Sequence, residues 1–312
     1  MRAVGISRFG GPEVLEVVEL PLEEPGEGEV RVRVAAAAVN PTDTVLRAGF
    51  RGEMYEGVAR PLVPGMELAG VVDAVGSGAG WRVGDEVVAI VVPGARGRGA
   101  QAEEVVVPAA SVARLPAGAS FAEGATLPMN GLTARIALDL IGLRPGDTLA
   151  VTGAAGAVGG YVMQLARHEG LRVVGDASDA DGDLVRRLGA DVVVARGDDV
   201  AAAIREICPE GVDGLVDAAL MNQKILGAVR DGGTIACVRP FQGETERGIT
   251  ARLVLVAEHA RDAEALAELS RLAGEGTLTL RVAQTFPPEE AGDAHRALEA
   301  GGVRGRNVIV FS

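Results

Sequence analysis

Lysine is almost missing from this chain: of thirty basic residues only Lys224 is a lysine, the rest being arginine. A mechanism built on a Schiff-base or general-base lysine therefore has a single candidate. Cysteine is nearly as scarce. Cys208 and Cys237 are too few for a disulfide scaffold or a four-thiolate metal site, and they suit a reducing cytoplasm, the expected location. Aromatic residues make up 3% and the net charge is −13, so there are few stacking platforms and nothing to attract phosphate backbones or anionic lipid. Nucleic acid and membranes are excluded as expected partners, which leaves a small molecule. No apolar run approaches the about 18 residues of a membrane span, and the opening MRAVGISRFGG has no apolar export core. What is present is 48% hydrophobic and 23% charged over 312 residues, material for two ordinary domains.

The first 120 or so residues consist of short alternating or apolar runs broken by Gly and Pro, at 29–39, 68–75, 85–92 and 102–107. They read as a β-rich unit. From residue 121 the rhythm changes to Ala-rich stretches alternating with compact Val-rich runs at 148–152, 172–175, 191–194, 214–217 and 234–238. Strands separated by helix-length segments indicate βαβ units and a parallel sheet. A helix is expected over 258–273, a strand over 277–282, a second helix over 288–300 and a last strand over 306–311 that returns to complete the first domain. The expected domains are thus 1–119, 120–257 and a return segment 258–312.

The strongest local signal runs from Gly146 to Gly160, an apolar strand passing through small residues into an apolar helix. Gly153, Gly156 and Gly159 allow a tight turn, close approach to a pyrophosphate and helix-on-strand packing, and the helix N-terminus supplies N–H groups. A Gly-rich turn with no ligand would look similar. Asp176, at the end of the next strand and about 20 residues on, favours a dinucleotide, because an acid there can hold the adenosine ribose. The neighbouring Asp179, Asp181 and Asp183 read as a solvated helix start.

The ordered set Phe9-Gly10-Gly11-Pro12, Asn40-Pro41-Thr42-Asp43, Pro64-Gly65-Met66-Glu67, Gly84-Asp85, Gly131-Leu132-Thr133, the Gly loop, Leu188-Gly189-Ala190-Asp191 and Ala294-His295 resembles the medium-chain dehydrogenase/reductase superfamily. Within it the chain is most similar to the zinc-independent quinone oxidoreductase (zeta-crystallin-like) branch. The resemblance covers essentially the whole chain, although Ala150 and Ala157 depart from the branch's usual Leu and Gly. It implies an α/β architecture: a GroES-like β-rich catalytic domain plus a Rossmann doubly wound parallel-sheet domain. The implied activity is hydride transfer from NAD(P)H to a quinone or other conjugated carbonyl. An enoyl or alkenal double-bond reductase is the alternative, and a nucleotide-binding structural or regulatory protein without turnover is the alternative of another class.

By the same resemblance, Asn40 and Thr133 lie near the nicotinamide. The cofactor is bound by Gly153, Ala155, Gly156, Ala157, Val158, Gly159, Asp176, Ser178, Arg196, Ala218, Val238, Phe241 and Arg304. Val45, Phe50, Tyr55, Met66 and Met129 line the acceptor pocket. Asn40 before Pro41 is also a plain turn signal. Zinc-dependent relatives carry metal ligands at the places of Asn40, Met66 and Met129, so no metal is expected; Glu67 alone cannot make a site. His168, His259 and His295 fall on helical patterns with surface or capping roles expected. Residues 250–256 read as an apolar edge strand that pairs across a homodimer two-fold axis. The resemblance favours NADPH, whereas the acid at Asp176 favours NADH by a slight margin.

Overall fold

A computed structural model of the chain describes residues 1–50 and 52–311. Contacts divide it into two compact units. The first holds Met1–Met129, Ala257–Glu275 and Leu280–Ser312; the second holds Asn130–Val256 and Gly276–Thr279. Residues 120–129 thus belong with the N-terminal unit, and the short stretch 276–279 with the central one.

In the first unit β1 (Arg2–Ile6) and β2 (Leu15–Glu19) form an antiparallel pair. The long strand β3 (Glu29–Val39) buries Val30, Val32 and Val34 on one face while Arg31 and Arg33 face outward, and Ala36 to Val39 are buried throughout. That change from alternation to continuous burial marks where the strand enters the core. Asn40 is the N-cap of α1 (Pro41–Ala48), which has Pro41 at its first position and ends at Gly49 with φ of 80°. There follow β4 (Glu67–Val75), β5 (Glu86–Ile90), β6 (Glu104–Pro108), β7 (Val112–Arg114) and the one-turn α2 (Phe121–Gly124), closed by a Ser120–Glu123 capping box.

Helix α3 (Pro128–Ile141) leads into the second unit. Its elements alternate: β8 (Thr148–Thr152), α4 (Ala157–His168), β9 (Arg172–Ala177), α5 (Gly182–Arg187), β10 (Val192–Ala195), α6 (Val200–Ile207) and β11 (Val212–Asp217), then β12 (Val229–Cys237) and β13 (Thr250–Leu253). All six strands are parallel, in the order β10-β9-β8-β11-β12-β13. The connection from β11 to β12 carries a short 3-10 segment, Asn222–Ala228, in place of an α-helix. β13 lies at the sheet edge.

The return segment comprises α7 (Ala263–Gly274), β14 (Val282–Phe286), α8 (Ala291–Glu299) and β15 (Arg306–Val310). β15 pairs with β3 and completes a sheet ordered β14-β15-β3-β4-β5-β7, with β6 also on β3. The strand expected over 277–282 forms later, because Thr279 donates its N–H to Gln164 Oε1 (2.9 Å) and is held outside the ladder. The helix expected from 258 starts at Ala263, where Asp262 caps it by accepting the Ala265 N–H.

His295, which in Ala-His reads as a structural residue, is fully buried on α8 and does not lie at the surface. Arg47 donates to its Nδ1 (3.3 Å), so the ring hydrogen sits on Nε2. Burial first, and Arg47 second, push His295 down to about 3. Asp43 is the opposite case. Burial pushes it up to about 7 against the N–H groups of Asn40 and Gly65, with Glu67 adding to the rise and Arg306 opposing it. As pH falls below 6.5 the unfolded chain takes up a proton on His295 that the native state refuses, so stability drops toward pH 3. Native Asp43 keeps a proton that the unfolded chain has lost above about pH 4, so its contribution falls as pH rises toward 7. Urea unfolding between pH 6 and 5 should show wild type losing about 1 kcal/mol relative to His295→Gln and gaining about 1 kcal/mol relative to Asp43→Asn. Parallel curves would contradict both assignments.

Candidate functional site: a crevice at the reversal of the parallel sheet

The order of the six-stranded sheet reverses between β8 and β11, and a parallel sheet opens its ligand crevice outside the carboxyl ends of its strands at such a reversal. Gly153 follows β8 with φ of 68°, and a Cβ on it would stand 3.1 Å from the Ala218 carbonyl carbon beyond β11. Gly156 is the N-cap of α4 and offers its first-turn amides no side-chain acceptor. A Cβ on Gly159 would lie 2.4 Å from the Gly153 carbonyl oxygen and 2.9 Å from Ala154 Cα. The helix therefore presses directly on the turn, with its positive end at the crevice. Ala155 and Ala157 are buried there and Val158 is half-buried, so small side chains leave the backbone as the crevice wall. This bare backbone cradle fits a pyrophosphate.

Two buried acids hold the cradle. Asp176 accepts the Ala154 N–H at 3.0 Å and is raised above the ordinary carboxylate range by burial, which outweighs the Ala154 and Gly153 amides and Arg196. Asp217, at the last position of β11, accepts Thr152 Oγ1 (2.8 Å) and the N–H groups of Met221 (3.0 Å) and Asn222 (2.9 Å). Sequence reading missed Asp217, whose only signal is an acid ending a strand of a parallel sheet. Asn222 Oδ1 accepts the Gln242 N–H (2.9 Å), tying this loop to the one after β12 that contains Val238 and Phe241. Asp181 corrects the solvated reading: it is buried and accepts Ser178 Oγ at 2.6 Å, while Asp179 and Asp183 are exposed. Arg196 is exposed just beyond β10.

Residues 26–117 match the alcohol dehydrogenase GroES-like domain family and residues 188–309 the zinc-binding dehydrogenase family. The chain is 33% identical over 227 residues to quinone-oxidoreductase QR1, chloroplastic, of Triphysaria versicolor, covering 70% of this chain and 68% of that protein. A solved NAD-dependent alcohol dehydrogenase superposes with a TM-score of 0.88 at 33% identity over 100% of both chains. The chain belongs to the medium-chain dehydrogenase/reductase superfamily. Its members use a nicotinamide dinucleotide, and the cradle suits one. The human synaptic vesicle membrane protein VAT-1 homolog-like is 34% identical over 220 residues, 70% of this chain and 50% of that protein. This chain thus spans about half the length of the first curated relatives it matches.

Asn40 and Met129, two of the three places where the resemblance puts metal ligands in zinc-dependent relatives, are joined here through Glu67. Asn40 is fully buried, and its Nδ2 donates to Glu67 Oε1 (2.8 Å), whose Oε2 accepts the Met129 N–H (2.9 Å). Asn40 also begins α1, as the turn signal allows. Among the described residues no three or more His, Cys, Asp or Glu side chains group so as to hold a metal ion. Thr133 is buried on α3. Of the expected acceptor-pocket residues, Val45 and Met66 are half-buried and Met129 is buried. Phe50 is 79% exposed, and Tyr55 packs on the small cluster of Ile6, Val14, Leu46 and Leu62. Arg304 is half-buried in the return segment of the first unit.

Gly159→Ala should weaken NADH or NADPH binding at least tenfold, because the new methyl meets backbone that cannot give way. Ala157→Gly should stay within about threefold of wild type. Fluorescence titration checks both, and unchanged binding by Gly159→Ala would remove the cradle from the cofactor site.

Proposed function

We propose that the protein is an NAD(P)H-dependent reductase that delivers hydride to a quinone or other conjugated carbonyl without a metal. The bare backbone cradle at the β8/β11 reversal carries this reading, and the likeness to a named quinone oxidoreductase supports the acceptor class. The bound nicotinamide supplies the hydride. The chain's part is to fix the pyrophosphate on the α4 N-terminus and to hold the reacting carbons in a near-attack arrangement. Quinone oxygens can take their protons from water, so this reading needs no positioned side-chain acid. Oxidation of NADH or NADPH against a panel of quinones and enones tests the proposal. Turnover of enones alone would favour the double-bond reductase, and no turnover with any acceptor would leave a binding protein.

For the cofactor we propose a preference for NADH. On this reading the Asp176 carboxylate faces the adenosine ribose, and a 2′-phosphate about 5 Å from it would cost about 3 kcal/mol at an effective dielectric near 20, roughly a hundredfold. Asp176→Asn keeps an acceptor for the Ala154 N–H and removes the charge. It should move the NADPH/NADH ratio of kcat/KM at least tenfold toward NADPH, and an unmoved ratio would show that Asp176 does not read the ribose.

The free edge of β13 supports a homodimer, since an unpaired edge strand invites pairing. Chelator treatment should leave the turnover rate, the melting temperature and a dimer mass in sedimentation unchanged. Lost activity would overturn metal independence, and a monomer would overturn the dimer.

A further inference from the structure

A cavity of about 560 Å³ opens in the first unit between the end of β5, the loop that leads on to β6, and β6 itself. All of its lining belongs to that unit, and none of Asn40, Met66, Met129 or Thr133 contributes to it. Its volume falls in the range of small-molecule sites, roughly 300–1,000 Å³. Strand alternation puts a charge in this space. Val105 and Val107 of β6 are buried in the core, which leaves Glu104 and Val106 on the opposite face, where both line the cavity.

Glu104 is a carboxylate without a counterpart. Its Oε2 is shielded from solvent and has no hydrogen-bond donor among the described residues. Burial raises Glu104 above the ordinary carboxylate range, with Glu103 and Asp73 adding to the rise and the N-terminal ammonium and Arg31 opposing it. The neighbouring bases are committed elsewhere. Arg31 donates from Nε to Asp73 Oδ1 and from Nη1 to Glu24 Oε1, each at 2.9 Å. Arg96 pairs with Glu23 (3.7 Å) and Glu29 (3.5 Å), and Arg98 pairs with Glu23 (3.7 Å). Arg33, opposite Glu104 in the β3–β6 register, is exposed and forms no ion pair with it. Glu258 and Arg261, from the exposed segment before α7, add one charge of each sign to the lining. The lining therefore has one buried acid that an incoming positive charge would satisfy. We propose that the cavity is a binding site for a small organic cation, an amine or amidine whose N–H groups meet the Glu104 carboxylate while its apolar body lies against Val92 and Val106.

Calorimetric titration of the full-length protein with benzylamine and benzamidine tests this, with benzyl alcohol and benzoate as neutral and anionic counterparts of similar shape. Both cations should bind the wild type at least tenfold more tightly than the alcohol or benzoate. Glu104→Gln, which keeps the shape and removes the charge, should lower cation affinity at least tenfold and leave the alcohol unchanged, and Val106→Trp should lower it by filling the cavity. The order of affinities in the wild type decides the matter even where a variant does not fold. Cations that bind no better than benzyl alcohol, or not at all, would overturn the proposal, as would cation binding that survives either substitution.

Discussion

The turn at Gly153 brings β8, α4 and the loop beyond β11 within van der Waals reach of one another, and the crevice at the sheet's reversal exists because no side chain stands between them. A methyl at Gly159 would meet the carbonyl of Gly153, and one at Gly153 would meet Ala218 in addition to straining the backbone. Interiors packed to crystal density absorb such collisions only by moving whole elements. The backbone amides at the start of α4 can serve as an anion site because this contact keeps the wall bare.

Bare backbone at the mouth of a sheet has to be held by something, and here it is held by acids. Asp176 and Asp217 lie at the carboxyl ends of the two strands that flank β8, and each takes loop N–H or hydroxyl groups on its carboxylate. Burying a carboxylate is tolerated when several donors satisfy it. The same device recurs in the first unit, where Glu67 joins the Asn40 side chain to the Met129 amide and Asp43 takes the N–H groups of Asn40 and Gly65. Asn40 and the Met129 backbone are thus cross-linked through a buried acid.

Periodicity and glycine spacing made the parallel sheet, its Gly loop and its cofactor class legible, since each is local in sequence. Asp176 could be placed at the end of its strand, but its bond to Ala154 depends on how the strand and the turn meet. Asp217 was invisible for the same reason, since its bond to Thr152 joins the ends of two strands, and the burial of Asp181 follows from how its loop folds back on Ser178, which residue spacing does not give. Asn40 carried both a functional and a turn reading in sequence, and only the pairing of β4 beside β3 shows its amide committed to Glu67. The strand expected at 277–282 was displaced by a single side-chain bond from Gln164, more than a hundred residues away in sequence.

Hydrogen–deuterium exchange of the wild-type protein with and without saturating cofactor tests the central claim most directly, because it reads the crevice without requiring turnover. The account predicts slowed exchange confined to three stretches at the carboxyl ends of the central strands, 153–160, 218–223 and 238–242, together with 176–178. Protection elsewhere with these stretches unchanged would contradict it.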